Sequence, residues 1–277
     1  MSRKLVKFGS LCAAFEGNTA LLDGSYLCRF FAESGTPAFT VSLQFGELPS
    51  LQARHSLINQ KPPVYRTENG WFRPIFNHIN GEDRNYAALS YTDTSAELTI
   101  SPVCTNIPAC VEGCIAFEHL ALCAGALTLH ASHIQMNGMA IAFTAPSGVG
   151  KSTQAALWER HRGAFVVNGD KTLLVKTPQG FVASGLPYAG TSGICHNAAA
   201  PLQAVVVLEQ GRENTVERLY GARAAMRLMP GVIRNAWHDE DAQRALELVA
   251  ELVETTPVFL LRCLPDESAV RCLEAVI

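Results

Sequence analysis

Charged residues are sparse in this sequence. Asp, Glu, Lys and Arg fill 17% of 277 positions and the formal net charge is −3. That leaves no basic field to neutralise a phosphate backbone, so nucleic-acid binding is not expected. The cluster Arg3, Lys4 and Lys7 is too small to form a cationic tail. Long apolar runs are missing too. The most apolar stretch, residues 114–129, is interrupted by Glu118 and His119 and falls short of the roughly 20 residues that a membrane-spanning helix needs. The opening Met-Ser-Arg-Lys-Leu-Val-Lys leads into no apolar export segment. The expectation is a cytoplasmic protein with no membrane partner.

An evenly paired cysteine set is also lacking. There are nine cysteines, an odd number, and most lie in apolar runs such as Leu260-Leu261-Arg262-Cys263-Leu264. Reduced, buried thiols fit this better than a disulfide framework. Cys110 and Cys114 fall on one helix face at i, i+4, which invites a zinc reading, but no second ligand pair stands at structural-zinc spacing. Core thiols are the better reading. Internal repeats and low-complexity segments are absent. What is present is 48% apolar residues, enough for a sizeable core in one large or two modest domains.

The first hundred residues read mainly as short strands, over 4–8, 26–31, 38–45, 64–66, 71–76, 86–91 and 97–101. They are rich in β-branched and aromatic residues and separated by Gly, Pro, Asn and Asp. Asn69-Gly70 predicts a two-residue hairpin turn with positive φ at both positions. Residues 102–108 read as a connector, which places a β-rich N-terminal domain at 1–105 and a second domain at 106–277.

In the second domain, residues 109–124 carry Val111, Ile115 and Leu122 at helical spacing and predict one buried helix. Strands over 127–136 and 139–144 are joined by Asn137-Gly138, a tight antiparallel turn. A helix over 154–162 stops at Gly163. Strands follow at 164–167, 173–176 and 181–183, with Pro178-Gln179-Gly180 turning the last pair. Residues 202–208 form a near-continuous apolar run, as in a strand covered on both faces. Residues 222–254 are helix-rich around Pro230-Gly231, residues 257–264 form another buried strand, and 267–276 a closing helix. Mixed strands with covering helices imply an α/β layered domain.

The strongest chemical signal is Ala145-Pro146-Ser147-Gly148-Val149-Gly150-Lys151-Ser152-Thr153, between a predicted strand and a predicted helix. A nucleotide's phosphates need many donors close together and no side chains in the way. Gly148 and Gly150 let the backbone curl so that amides of Ser147 to Thr153 converge, and the helix adds the positive end of its dipole. Lys151 can bridge β- and γ-phosphates, and Ser152 can place its hydroxyl on Mg2+. The loop departs from G-x-x-x-x-G-K-[ST] because Ala145 holds the first glycine's place. A methyl is tolerable there if φ is negative.

Three further positions are candidates. Asp170 ends the apolar segment Phe165-Val166-Val167-Asn168-Gly169, where a carboxylate can touch Mg2+ or accept a hydroxyl proton, or simply complete a turn. Lys171 beside it is either a phosphate contact or solvated. His130, on the strand paired with the one feeding the loop, is either a γ-phosphate neighbour or a satisfied structural histidine.

Leu129-His130-Ala131-Ser132, the Asn-Gly hairpin, the Pro-Ser-Gly-Val-Gly-Lys-Ser-Thr loop and the strand ending in Asp170 occur in an order that resembles the HPr kinase/phosphorylase superfamily, kin to phosphoenolpyruvate carboxykinase. The similarity is to a divergent HPr-kinase-like branch, covers about residues 115–277, and extends to Gly185-Leu186-Pro187-Tyr188-Ala189-Gly190-Thr191-Ser192-Gly193, Asn197 and Pro201-Leu202. The resemblance implies a mixed-sheet P-loop kinase domain of the α/β class. It implies ATP and Mg2+ as cofactors, Lys151 and Ser152 on phosphates and metal, Asp170 at the metal or base site, and His130 at the family histidine position. It also makes self-association an expectation. Family members carry two adjacent aspartates where this chain has Gly169-Asp170. The loop over 185–197, with Thr191, Ser192, Cys195 and His196, reads as a substrate-facing lid or as a plain connector.

Three activities share these residues. The first is an ATP-dependent kinase phosphorylating a hydroxyl of a small molecule or a peptide or protein serine. The second is a nucleotide-binding regulatory protein without transfer, and the third a nucleotide-dependent phosphorylase or lyase.

Overall fold

The computed structural model describes residues 2–50, 56–58, 63–79, 82–235 and 237–277. Its contacts divide into two units, one ending at Ala124 and the other beginning at Gly125, with Phe8–Ser10 grouped with the second. The division therefore lies after Ala124 rather than after Thr105.

In the first unit the strands are β1 (Ser2–Phe8), β2 (Leu11–Gly17), β3 (Phe31–Ala32), β4 (Phe39–Phe45), β5 (Ser56–Ile58), β6 (Val64–Arg66), β7 (Trp71–Ile79), β8 (Glu82–Tyr91) and β9 (Ser95–Ile100). They form one sheet in the order β3-β1-β2-β4-β9-β8-β7-β6-β5, with β4 parallel to both β2 and β9. Alternation along β4, where Phe39, Val41 and Leu43 are buried and Thr40 and Ser42 are not, gives the sheet one packed face. The helices α1 (Ile107–Cys114) and α2 (Phe117–Cys123) belong to this unit. The Phe117 ring stands edge-on to Phe39 at 6.2 Å, which is why the boundary falls beyond them.

Several expectations are corrected here. Residues 109–124 are two helices, because Ala116 adopts the left-handed conformation (φ 53°) between them. Of the strand expected at 26–31, Tyr26–Phe30 is a 3₁₀ helix that buries Leu27 and Phe30, and only Phe31 lies in a strand. The Asn69-Gly70 turn is a four-residue connection: Arg66 pairs with Trp71, and Asn69 does not have positive φ. A side chain at Gly70 would strike the Tyr91 carbonyl oxygen at 2.1 Å.

The second unit contains β10 (Ala126–Met136), β11 (Met139–Thr144), α3 (Lys151–Arg162), β12 (Phe165–Asn168), β13 (Lys171–Thr177), β14 (Gly180–Gly185), β15 (Ala199–Gln210), β16 (Thr215–Leu219), α4 (Gly221–Leu228), α5 (Asp239–Thr255), β17 (Val258–Cys263) and α6 (Glu267–Glu274). Ala236, inside the predicted helix-rich stretch, lies outside the described residues. The strand order is β11-β10-β13-β14-β15-β17-β16, with β12 on β10 and a parallel β11–β15 pairing. This is a mixed α/β unit. Met136 faces Met139 across Asn137 (φ 53°) and Gly138 (φ 77°), the two-residue turn its sequence calls for.

Two strands run through both halves of the second unit. Residues Ala126–His130 of β10 pair with β13, and from Ala131 onward β10 pairs with β11. Strand β15 likewise pairs first with β14 and then with β11 and β17. Phe143, Trp158, Val206, Phe259, Leu261 and Leu273 form the core that joins α3 and α6 to these strands. No described helix is long and apolar enough to cross a membrane.

His133 of β10 has no exposed surface, and neither ring nitrogen has a hydrogen-bond partner. Burial pushes its pKa down to about 3. The unfolded chain binds that proton from about pH 6.5 downward. Between the two values the unfolded state therefore carries more protons, and stability falls as the pH falls. Urea unfolding should show a constant contribution from His133 above about pH 6.5 and a progressive loss below it. His133→Leu should flatten that part of the profile; an equal acid decline in both proteins would remove His133 as its cause.

Candidate functional site

The site lies where β10 passes from one sheet partner to the other. His130 is the last β10 residue paired with β13, and Ala131 the first paired with β11. A crevice opens where neighbouring strands diverge, which is where α/β sheets bind ligands. A cavity of about 760 Å³ is lined there by His130, Thr144, Ala145, Pro146 and Val149, by Glu209 and Gln210 of β15, and by Met226 and Arg227 of α4.

Strand β11 ends at Thr144, and the chain from Ala145 to Gly150 forms a glycine loop leading straight into α3, which begins at Lys151. Gly148 and Gly150 have φ of 80° and 124°, a region closed to most side chains. Ala145 is not among the positive-φ residues, so its methyl is accommodated. No atom lies within 4 Å of where a Gly148 side chain would sit, so glycine there answers to the backbone conformation and not to crowding. α3 has no side-chain cap and no acidic residue in its first turn, while Arg160, His161 and Arg162 occupy its last. The first amides of a helix have no partners within it, and this charge arrangement leaves the positive dipole end without a built-in anion.

Lys151 is buried, and its Nζ donates to the carbonyls of Ala145 (3.0 Å) and Pro146 (3.4 Å). Burial holds its pKa below the ordinary lysine value, with the Asp170 carboxylate opposing the shift. Ser152 Oγ donates to the Gly169 carbonyl at 3.4 Å, and Ser132 Oγ to the same oxygen at 2.9 Å. Ser147, Ser152 and Thr153 are exposed and Val149 is half-buried.

His130 and Asp170 face one another, Nε2 to Oδ1, at 3.6 Å, each about one-third exposed. Burial lowers the His130 pKa and Lys151 lowers it further, while Asp170 acts in the opposite direction. Lys171, opposite His130 in the strand register, holds its ammonium 4.3 Å from the centre of the Tyr188 ring. The structure thus brings His130, Lys151, Ser152 and Asp170 to one end of the sheet.

Sequence reasoning missed the residues that position this set. Asn168 is completely buried. Its Oδ1 accepts from the backbone N–H groups of Asp170 (2.8 Å) and Lys171 (3.0 Å), and its Nδ2 donates to the carbonyls of Leu186 (2.9 Å) and Tyr188 (3.0 Å). Turn chemistry at Asn-Gly-Asp was legible; the tertiary half of these bonds was not. Arg227 and Arg262 both donate to Glu209, at 2.6 and 3.0 Å, which fixes a charged rim on the cavity.

The loop over 185–197 is tied down on β12. His196 N–H donates to the Val167 carbonyl at 2.9 Å, and Cys195 bridges to Asn168. Its 3₁₀ turn, Gly190–Ser192, presses on the carboxylate. A side chain at Gly190 would meet Asp170 Cγ at 2.7 Å, and one at Gly169 would meet Ser192 Oγ at 2.2 Å. Ser192 therefore occupies the space that a side chain at 169 would need. Gly169→Ala is expected to destabilise the protein by about 1–3 kcal/mol, and Ser192→Gly in the same chain should recover most of the loss. Urea midpoints of the two single variants and the double variant check this; additive losses would show that the two positions do not share a space.

No curated protein matches the chain. Among solved structures it is similar to the HPr(Ser) kinase/phosphatase from Coxiella burnetii, at 15% sequence identity and a TM-score of 0.32, over 53% of this chain and 96% of that one. Residues 109–266 match the family described as SynChlorMet cassette protein ScmC, and that span takes in the glycine loop, His130 and Asp170. The match covers more than half of the sequence, and the chain belongs to the ScmC family of SynChlorMet cassette proteins.

Proposed function

We propose that this protein is an ATP-dependent kinase that transfers the γ-phosphate to a hydroxyl of a small molecule or of a peptide or protein serine. The observation that carries the reading is the meeting of a buried lysine, inside a glycine loop at the start of α3, with the His130–Asp170 pair across one crevice. The loop amides and the helix dipole attract phosphate oxygens. Lys151 exchanges the Ala145 and Pro146 carbonyls for the β- and γ-phosphates, so its charge enters the site without a large rearrangement. Ser152 and Asp170 would hold Mg2+, which supplies charge neutralisation between the phosphates. His130, kept neutral near pH 7 by burial and by Lys151, forms with Asp170 the pair that receives the proton leaving the acceptor hydroxyl. The cavity beside them, rimmed by Glu209 and Arg227, is the proposed acceptor site.

A second reading has its own support. With the space at position 169 taken by Ser192, the turn offers one carboxylate, and a single carboxylate serves poorly as both metal anchor and proton acceptor. A nucleotide-binding regulator without transfer activity fits that feature.

Transfer of labelled γ-phosphate to serine peptides and small alcohols separates the two. The wild type should transfer label with Mg2+. Lys151→Ala should lose about 100-fold or more in kcat/KM, and Asp170→Asn should lose comparably. Because the His130 pKa lies below its usual value of about 6.5, the acid limb of the rate profile should fall below that pH and should change in His130→Asn. Mg-ATP binding without transfer to any acceptor would favour the regulator, and no Mg-ATP binding at all would sink both readings.

A further inference from the structure

A second cluster of ligand-type side chains lies wholly within the first unit. His119 and Cys123 stand at i and i+4 on α2, so they project from one face. Cys123 Sγ lies 3.7 Å from His119 Nε2. Asp93, in the turn between β8 and β9, brings Oδ1 to 3.4 Å from the same nitrogen. One ligand atom from each residue lies within 4.8 Å of the other two.

The cluster is built rather than incidental. The His119 side chain is only 1% exposed, and its ring is held edge-on by Trp71 at 5.0 Å and Tyr91 at 5.4 Å. The turn that carries Asp93 is braced by Thr92, whose N–H donates to the Ser95 carbonyl at 2.8 Å and whose Oγ1 accepts from the Ser95 N–H at 3.1 Å. Donors from a helix and from a turn are thereby held in place before any ion arrives.

A plain histidine–aspartate hydrogen bond accounts for two of these groups and leaves the third unexplained. A single ring nitrogen offers one proton or one lone pair, yet a carboxylate and a thiol both converge on it. The nitrogen–oxygen distance of 3.4 Å is also longer than the roughly 2.9 Å of a good N–H···O bond. The two distances do match the edges of a tetrahedron. Metal–ligand lengths of about 2.0–2.2 Å for nitrogen and oxygen and about 2.3 Å for sulfur give edges of roughly 3.3 Å between N and O and roughly 3.6 Å between N and S.

We propose that Asp93, His119 and Cys123 form a zinc site that ties α2 to the β8–β9 turn. A nitrogen, sulfur and oxygen set suits Zn2+ and not Mg2+ or Ca2+. Water completes the coordination on the side where Asp93 is open to solvent. Binding displaces the thiol proton of Cys123, so uptake releases one proton to solvent. The site is independent of the kinase reading.

Full-length protein, stripped with chelator and free of any histidine tag, is titrated with Zn2+ and separately with Co2+. One equivalent of Zn2+ should bind and raise the melting temperature, and Co2+ should give a thiolate-to-cobalt charge-transfer band. Cys123→Ser should abolish the band and the zinc-dependent shift, and Asp93→Asn should weaken zinc binding. Both side chains are at least partly exposed, so the two variants should fold. The double variant Cys110→Ser/Cys114→Ser should keep the band. Failure of the wild type to bind one equivalent, a band that survives Cys123→Ser, or a band lost only in the double variant would each overturn the assignment.

Discussion

The side chain of Asn168 holds this site together. Its amide makes four hydrogen bonds from a position with no solvent access, two to the peptide that follows and two to the 186–188 segment. Each such bond left unmade in a buried position costs about 1–3 kcal/mol, so the arrangement behaves as a unit. The Gly169 carbonyl then receives the hydroxyls of Ser132 and Ser152, and the Asp170 carbonyl receives the Ala131 N–H at 3.0 Å. One short peptide is thus fixed from β10, from the start of α3 and from the downstream loop. The position of the Asp170 carboxylate relative to His130 and Lys151 follows from that fixing.

The sheet supplies the other half of the geometry. Because β10 changes partner between His130 and Ala131, the strands on either side must separate, and His130 stands at the parting. Thr144 closes the same corner: its Oγ1 donates to the His130 carbonyl at 2.9 Å, and its backbone pairs with Ala131 and Val207. Gly231 is pressed against it, where a side chain would meet Thr144 Oγ1 at 2.6 Å. The glycine loop emerges from this corner, which is why Ala145, Pro146 and Val149 share one cavity with His130 although fourteen residues lie between His130 and Ala145.

Much of this was legible in the residues where local physics decides. Asn137-Gly138, Gly148, Gly150 and Gly163 each announce a backbone conformation that other residues avoid, and each adopts positive φ. The apolar run at 202–208 lies in β15, paired on both sides. Reading failed where tertiary packing overrides local preference. Leu27 and Phe30 suit a strand by type, yet they are buried from a 3₁₀ helix, because aromatic and branched residues favour any half-buried surface. β16, Thr-Val-Glu-Arg-Leu, escaped because Glu217 and Arg218 dilute its pattern. The partnership of Gly169 with Ser192, and the convergence of Asp93 on His119, join positions far apart in sequence, and no spacing rule reaches them.

The trade at position 169 bears on what the site favours electrostatically. A second carboxylate beside Asp170 would further offset the ammonium group of Lys151, on which the Asp170 charge already acts; glycine at 169 leaves one carboxylate at this turn, and Lys171 sets its ammonium over the Tyr188 ring. Opposite charges held close in a partly buried crevice attract more strongly than in open water, so the number of carboxylates at this turn bears on how strongly the crevice favours anions. On the proposed reading, that preference draws the nucleotide phosphates inward and places less demand on the metal to neutralise them. With glycine at 169, the turn would offer that reading no second carboxylate to accept a proton. His130, held neutral beside Asp170, is the group within reach that can share that task, and Ser192 keeps the vacated side-chain space closed. On the proposed reading, phosphate retention and the shortage of proton acceptors would both follow from the packing of Ser192 against Gly169.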